Sequence, residues 1–259
     1  MKRFAPFAAT VLLAACDGAS PDWTAFSGPW PAPGMVATNG TGVIVADGLV
    51  LTAGHVVRGC KVIRLAAASD RFRAVPARIK ASGPSHGALE LDVALLEAAP
   101  LIGAPWPPAR FSDLWPDDAE IAGVPYGRGG EVETSGAVTL LGYPDGTMAP
   151  HPAASPIAHL VASRPDDVLQ FHLWDFLGDA APGFSGGPIV DAHGAVLGIA
   201  FKGRPAHDPE LVLLGIPEGL GLAVSSRDLI AFLNQNGVET LGMPTRPIAD
   251  SLVQVFCFR

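Results

Sequence analysis

Residues 179–190 read Asp-Ala-Ala-Pro-Gly-Phe-Ser-Gly-Gly-Pro-Ile-Val and place Ser185 among glycines at the start of an apolar run. Glycine has no Cβ, so another group can approach its backbone closely, and Gly183 can adopt backbone angles closed to other residues. The amides of Gly183 and Ser185 are therefore candidates for an oxyanion hole, which stabilises the negative charge that develops in acyl transfer. The same pattern also forms ordinary turns before strands, so its interpretation depends on the residues upstream.

A histidine follows a predicted β-hairpin in the first half of the chain. Residues 41–51 read Thr-Gly-Val-Ile-Val-Ala-Asp-Gly-Leu-Val-Leu, two β-rich runs that meet at Asp47 and Gly48. This residue pair readily adopts the positive φ angles of a tight hairpin turn. The second run continues into Thr-Ala-Gly-His-Val at residues 52–56, so the pattern puts His55 at the end of a strand.

An acid enters an apolar strand further along the chain, where residues 91–96 read Leu-Asp-Val-Ala-Leu-Leu. A carboxylate is costly to bury unless it has a partner. A ring nitrogen of His55 is the expected partner of Asp92. The alternative is an acid that faces water at a strand edge.

Taken together, these three stretches resemble the histidine, aspartate and serine motifs of trypsin-like serine proteases of the chymotrypsin fold, in the chain order of that family. The histidine stretch is similar to that of the bacterial HtrA-like branch. The resemblance covers residues 41–236 and implies an all-β protein with two six-stranded antiparallel β-barrels of the chymotrypsin type and a C-terminal helix. It implies a serine endopeptidase with the triad His55, Asp92 and Ser185, which acts on a protein or peptide substrate without a metal or an organic cofactor.

The C-terminal helix is expected to begin with a capping box at Ser225, with Asp228 in the place of the usual Glu. About twenty residues follow that helix, too few for the PDZ domain that HtrA relatives carry. The predicted parts are a signal peptide (1–15), a lipidated cysteine and tether (16–34), an N-terminal barrel (35–115), a C-terminal barrel (116–225) and a C-terminal helix and tail (226–259).

The N-terminus has the pattern of a bacterial export signal. Lys2 and Arg3 precede an uncharged apolar run that is too short to span a bilayer. Residues 13–16, Leu-Ala-Ala-Cys, resemble a lipoprotein lipobox, which implies lipid on Cys16 and a periplasmic protein on a membrane anchor. Asp17 resembles the signal for retention in the inner membrane. The alternative is an ordinary signal peptide that ends at a chance cysteine.

The charge balance excludes nucleic acid as a partner class. Without Lys2 and Arg3, 15 Lys and Arg stand against 25 Asp and Glu, a net charge of −10. Phosphate binding depends on clustered Lys and Arg.

Two cysteines remain beyond Cys16, namely Cys60 and Cys257. They lack the Cys-x-x-Cys spacing typical of zinc sites, and metal ligation is not predicted. In an oxidising compartment we expect them to form a disulfide. The alternative is two separate buried thiols, because sequence alone does not prove connectivity.

The expected substrate pocket involves residues on either side of the candidate nucleophile. Asp179 lies six residues before Ser185, the offset at which trypsin carries the acid of its pocket. The strand that resembles the family's pocket wall contributes Phe201, Lys202 and Gly203. Phe201 departs from the serine of digestive trypsin-like enzymes.

A second departure is Phe184, which replaces the aspartate that pairs with a freed N-terminus in zymogen-activated members. This replacement argues against activation by N-terminal cleavage.

Two rival functions fit parts of the sequence. Residues 183–187 also match the Gly-x-Ser-x-Gly nucleophile elbow of α/β-hydrolases, but that fold needs alternating strands and helices and an acid and a histidine after the serine. The other rival is a protease-fold module that binds peptides or a partner protein without cutting, because fold does not guarantee activity.

Overall fold

The computed structural model describes most of the chain after residue 36. The predicted signal peptide, lipidated Cys16 and tether lie outside the described residues. The described ranges are 37–67, 70–86, 89–98, 108–112, 138–144, 151–157, 159–163, 171–177, 180–202, 220–240 and 247–259.

Strands dominate the described residues, as the sequence predicts. The strands are β1 (Ala37–Ala46), β2 (Leu49–Ala53), β3 (Val62–Ala67), β4 (Asp70–Ser82), β5 (Ser85–His86), β6 (Leu89–Glu90), β7 (Val93–Glu97), β8 (Val138–Gly142), β9 (Ala153–Ile157), β10 (His159–Ser163), β11 (Leu173–Leu177), β12 (Pro188–Val190), β13 (Val196–Lys202), β14 (Leu220–Ser225) and β15 (Leu252–Phe258). The helices are α1 (Gly54–Val57), α2 (Ser226–Gln235) and a 3-10 helix (Ile248–Ser251).

Six strands close the first barrel, in the order β1-β15-β3-β4-β7-β2. The predicted hairpin joins β1 to β2, and Gly48 in its turn has a φ of 70°. Such an angle costs glycine little because it has no Cβ. The barrel brings the end of β2 beside the start of β7, where Ala53 pairs with Val93.

The last strand of the chain belongs to this first barrel. β15 lies between β1 and β3, and all seven of its residues are buried. The sequence predicts a tail after the C-terminal helix here, but these residues complete the first barrel, so that barrel is not confined to residues 35–115. Pairing on both edges satisfies the backbone of β15, and its apolar side chains are excluded from water.

The second half forms a seven-stranded antiparallel sheet, in the order β10-β11-β14-β13-β12-β8-β9. β9 and β10 lie at opposite edges, yet only residue 158 separates them along the chain. The sheet must therefore curl until its edges are neighbours. The predicted architecture, two antiparallel β-barrels of the chymotrypsin type with a C-terminal helix, is confirmed. The second unit has seven strands where six were predicted, because β9 and β10, which follow one another along the chain, lie at opposite edges of the sheet.

Apolar clusters fill each unit and the contact between them. The cluster at the contact combines residues of the first barrel, such as Leu95, with residues of the second, such as Ile199. Helix α2 adds Leu229, Phe232 and Leu233 to the same cluster. The two units therefore share this apolar cluster.

Helix α2 begins as the sequence predicts. The amide of Asp228 donates to the Oγ of the N-cap residue Ser225 at 3.4 Å. In a capping box the Asp228 carboxylate would accept from the Ser225 amide. Here it accepts from the amide of His172, at 2.5 Å, and lies 3.0 Å from that residue's Nδ1. The start of the helix is thus fixed to the start of β11. Within the described residues, no helix is both long and apolar enough to cross a membrane.

The predicted disulfide between Cys60 and Cys257 is confirmed. The bond joins the loop after α1 to β15, with the two Cα atoms 5.4 Å apart and a sequence separation of 197. It links the segment that carries His55 to the C-terminal strand of the same barrel.

Candidate active site

His55 and Asp92 lie together where β2 ends and β7 begins. The backbone amide of His55 donates to Asp92 Oδ1 at 2.7 Å, and His55 Nδ1 lies 2.5 Å from Asp92 Oδ2. Gly54 permits this approach, because a Cβ at that position would lie 2.9 Å from Asp92 Oδ1. The His55 side chain is 41% exposed and that of Asp92 only 17%. The ring is therefore held on its buried side and open on the other.

Arg58, which lies outside the three motif stretches, also contacts Asp92. Arg58 NH2 lies 3.7 Å from Asp92 Oδ1. Its guanidinium side chain is 58% exposed, and solvent screening keeps such ion pairs weak. Arg58 lies in the turn after α1, and only its position three residues after His55 signals this role in the sequence.

Two consecutive turns form the loop that carries Ser185. The amide of Phe184 donates to the carbonyl of Ala181 at 3.1 Å, and the amide of Gly187 to the carbonyl of Phe184 at 2.8 Å. The third residues of these turns, Gly183 and Gly186, have φ angles of 95° and 85°, and no non-glycine residue described has a positive φ. Both are therefore type II turns, which need glycine at that position.

This loop lies against the segment that leads into His55. A Cβ on Gly186 would collide with the Thr41 carbonyl oxygen and with Thr52 Oγ1, and it would lie 3.0 Å from Ala53 N. A Cβ on Gly40 would lie 2.7 Å from a methyl carbon of Val56 and 2.9 Å from the Ser185 carbonyl oxygen. The backbone of Ser185 is thus packed beside residues on both sides of His55. Its role as nucleophile stays a prediction.

The candidate oxyanion amides are those of Gly183 and Ser185. Within the described part of the chain, neither amide donates to a backbone carbonyl. The intervening residue, Phe184, uses its own amide to close the first turn. Among the described residues, therefore, no backbone carbonyl accepts from either candidate amide.

Phe184 anchors this loop in the core of the second sheet. It is buried and packs in the cluster that contains Leu140, Trp174 and Ile189. Gly142 makes room for its ring, since a Cβ there would lie 2.7 Å from Phe184 Cδ1. An apolar side chain thus holds the loop from the position at which zymogen-activated members use an aspartate.

A family comparison agrees with this geometry. The sequence profile of the trypsin-like peptidase domain matches residues 40–199. The chain belongs to the trypsin-like peptidase family.

Two curated relatives of this trypsin-like peptidase were found at low identity. The serine protease Rv3671c of Mycobacterium tuberculosis is 29% identical over 167 residues, which are 62% of this chain and 35% of that protein. The uncharacterized protein y4bJ of Sinorhizobium fredii is 25% identical over 229 residues, which are 86% of this chain and 30% of that protein. The chain thus spans about a third of the length of these relatives.

Solved structures share the fold of this trypsin-like peptidase. The inactive form of the Rv3671c protease has a TM-score of 0.52 at 22% identity, over 79% of this chain and 88% of that chain. The HtrA-type protease AlgW with a decapeptide has a TM-score of 0.51 at 21% identity, over 76% of this chain and 52% of that chain. The HtrA-type resemblance of the sequence is therefore confirmed at the level of fold.

Of the predicted pocket residues in this trypsin-like peptidase, Phe201 has a described side chain. β13 bulges at Phe201, because Ala200 pairs with Ala223 while Lys202 pairs with the next residue along, Leu222. A bulge re-aims a side chain, and Phe201 packs against both the core of the first barrel and the core shared by the two units.

The bulge lies beside the loop that carries Ser185. Ala200 accepts from the amide of Gly186 at 2.6 Å and donates to the carbonyl of Gly187 at 2.9 Å. Asp179 and Gly203 lie outside the described residues, and the side chain of Lys202 is not described. Their place in a substrate pocket stays a prediction.

The described titratable groups outside this site include one further His–Asp pair. No group of three or more His, Cys, Asp or Glu side chains that could hold a metal ion occurs among the residues the structure describes. The other close His–Asp pair, His172 with Asp228, fixes helix α2 to β11.

Proposed function

We propose that this trypsin-like peptidase is a serine endopeptidase in which His55, Asp92 and Ser185 act as a catalytic triad. The observation that carries the proposal is the packing of the Ser185 backbone beside the segment that presents His55, whose ring is held by Asp92. A triad is recognised by the geometry and the roles of its members.

Peptide hydrolysis would proceed through an acyl-enzyme. The Ser185 hydroxyl oxygen attacks the substrate carbonyl carbon, and His55 takes the hydroxyl proton. His55 then gives this proton to the leaving amine as the C–N bond breaks. A water molecule, deprotonated by His55, attacks the Ser185 ester, and the new carboxylate departs as the serine regains its proton. Asp92 holds the ring in the required tautomer and stabilises its charged form.

The amides of Gly183 and Ser185 would bind the oxyanion of each tetrahedral intermediate. Removal of one oxyanion donor typically costs about a hundred- to a thousandfold in rate. Phe184 supports this role because its buried ring anchors the peptide groups between the two amides. Such an anchor requires no newly cleaved N-terminus.

An active-site-directed fluorophosphonate tests the proposal. We expect the wild-type protein to become labelled on Ser185, and Ser185→Ala to remain unlabelled with an unchanged near-UV circular dichroism spectrum. A peptide library in ¹⁸O-labelled water should give internal cleavages, each with label in the new carboxylate. A folded wild-type protein that binds peptides but neither reacts nor cleaves is the silent binding module, and that result would overturn the proposal.

We further propose that the protein is exported and lipid-anchored through Cys16, which would place the catalytic unit in the periplasm at the inner membrane. The lipobox-like residues 13–16 and the following Asp17 support this assignment. Expression in a Gram-negative bacterium with radiolabelled palmitate should label the wild-type protein in the membrane fraction. Cys16→Ser should be unlabelled. Cleavage at another residue, with the protein in the soluble periplasmic fraction, would contradict the anchor.

A further inference from the structure

Thr41 joins the first barrel to the loop that carries Ser185, residues 181–187, through both its backbone and its side chain. It is fully buried in β1. Its amide donates to the Ser185 carbonyl at 2.8 Å, and its hydroxyl donates to the Gly183 carbonyl, also at 2.8 Å. The same hydroxyl accepts from the amide of Tyr143 at 2.9 Å.

A second threonine holds Thr41 from within the barrel. The Thr52 hydroxyl donates to the Thr41 carbonyl at 2.7 Å. Thr52 lies in β2, three residues before His55. Strand β2, which leads into His55, therefore also fixes β1, which contacts the loop that carries Ser185.

The two carbonyls that Thr41 binds belong to the peptide groups just after the two oxyanion amides. The Gly183 carbonyl lies in the peptide 183–184, and the Ser185 carbonyl lies in the peptide 185–186. Because a glycine at a φ of 95° can rotate with little steric resistance, the turn at Gly183 needs an external restraint to keep its amide in one direction. The Thr41 hydroxyl supplies a restraint from the opposite barrel.

We propose that Thr41 is a positioning residue for the oxyanion hole, in which its side-chain hydroxyl holds the Gly183 turn in the orientation that directs the Gly183 amide at the substrate carbonyl. This inference rests on the proposed serine peptidase function. Thr41 itself contacts neither substrate nor the reacting atoms. It acts on the rate because an oxyanion donor stabilises the transition state more than the bound substrate.

The chemistry of this position requires a hydroxyl group. Valine has nearly the same shape, but it would leave the Gly183 carbonyl and the Tyr143 amide without the buried partner they share. An unpaired buried polar group costs free energy, so we expect the turn at Gly183 to rotate in Thr41→Val until its carbonyl finds another partner. Serine retains both hydrogen bonds and loses only a methyl group.

The test compares Thr41→Val, Thr41→Ser and the wild-type protein in peptide hydrolysis and in fluorophosphonate labelling. We expect Thr41→Val to lower kcat by about tenfold to a hundredfold with KM changed by less than about threefold, because ground-state binding is left intact. The labelling rate should fall in parallel. Thr41→Ser should recover kcat to within about threefold of the wild-type value.

A control variant separates positioning from a general loss of stability. Ser225→Ala removes the N-cap side chain of α2, which accepts from the Asp228 amide, and loss of such a cap destabilises a helix. It should lower the urea midpoint while kcat stays at the wild-type value. If Thr41→Val is folded and retains wild-type kcat, or if Ser225→Ala lowers kcat as much, the inference is wrong.

Amide hydrogen exchange distinguishes this inference from the proposed function. A wild-type protein that neither labels nor cleaves contradicts the peptidase proposal. In that case, faster exchange of the peptide 180–188 in Thr41→Val than in wild type still supports the restraint of the loop by Thr41. Equal exchange in the two proteins overturns the restraint, whatever the activity.

Discussion

Both carboxylate oxygens of Asp92 contact His55. Oδ1 accepts from the His55 backbone amide at 2.7 Å, and Oδ2 lies 2.5 Å from the ring Nδ1. The first contact fixes the main chain of α1 and the second fixes the ring. A single carboxylate thus determines both the position and the tautomer of the histidine.

Asp92→Asn should therefore distinguish the two effects of the carboxylate on His55, which are to fix the position of the residue and to set the tautomer of its ring. The amide oxygen can replace one carboxylate oxygen as an acceptor, but the amide NH2 cannot accept a hydrogen from the ring Nδ1. The equivalent change in a Ser-His-Asp triad lowers kcat about ten thousandfold. We expect a loss of about a thousandfold or more in kcat, measured by steady-state peptide hydrolysis. The urea midpoint should change little, and activity within tenfold of wild type would rule out a catalytic role for Asp92.

Gly186→Ala should abolish fluorophosphonate labelling. Gly186 has a φ of 85°, and a Cβ would collide with the Thr41 carbonyl oxygen and Thr52 Oγ1. Gly237→Ala is the matched control, because Gly237 has a φ of 72° but nothing within 4 Å of the added carbon. The control is destabilised only by the positive φ of its new alanine, by about 1–2 kcal/mol. Similar labelling rates in the two variants would show that the close approach at Gly186 is unimportant.

Loss of the disulfide should destabilise the protein strongly. Its closed loop spans 197 residues, for which the chain-entropy relation gives about 5 kcal/mol. We expect the double variant Cys60→Ala with Cys257→Ala to unfold at a lower urea concentration than the oxidised wild type. Reduced wild-type protein serves as the comparison that retains both sulfur atoms. An unchanged free energy of unfolding in both samples would contradict the expectation.

Tyr143 should make the protein less stable at alkaline pH. Burial raises the pKa of the Tyr143 phenol above its ordinary value of about 10. Above pH 10 the unfolded chain releases this proton while the folded chain retains it, so the free energy of unfolding falls as pH rises, by up to about 1.4 kcal/mol per pH unit from this group. Below pH 10 the phenol is neutral in both states and contributes no slope.

Tyr143→Phe provides the control for this pH dependence. The variant loses the hydrogen bond from the phenol to the Leu252 carbonyl, 3.4 Å long, and with it some stability at every pH. Its free energy of unfolding should fall less steeply than that of wild type between pH 10 and 11. Parallel slopes in urea titrations would show that the phenol does not retain its proton in the folded protein.

The local sequence determined much of this protein. Asp47-Gly48 predicts the first hairpin turn, and Ser225 predicts the start of α2. The resemblance of the three motif stretches to trypsin-like serine proteases implies the all-β fold. The histidine and aspartate stretches predict the pair that the structure brings together. These features were predictable because backbone preferences and side-chain periodicity act over a few neighbouring residues.

Only the tertiary structure decided the contacts between distant residues. The placement of β15 in the first barrel, the bulge at Phe201 and the bond from Thr41 to Gly183, 142 residues away, have no local signal. Each depends on which apolar faces and which unpaired backbone groups meet after the chain has folded. Strand pairing and burial are properties of the whole chain, so the residues that hold the candidate site in place become visible only when its two halves are packed together.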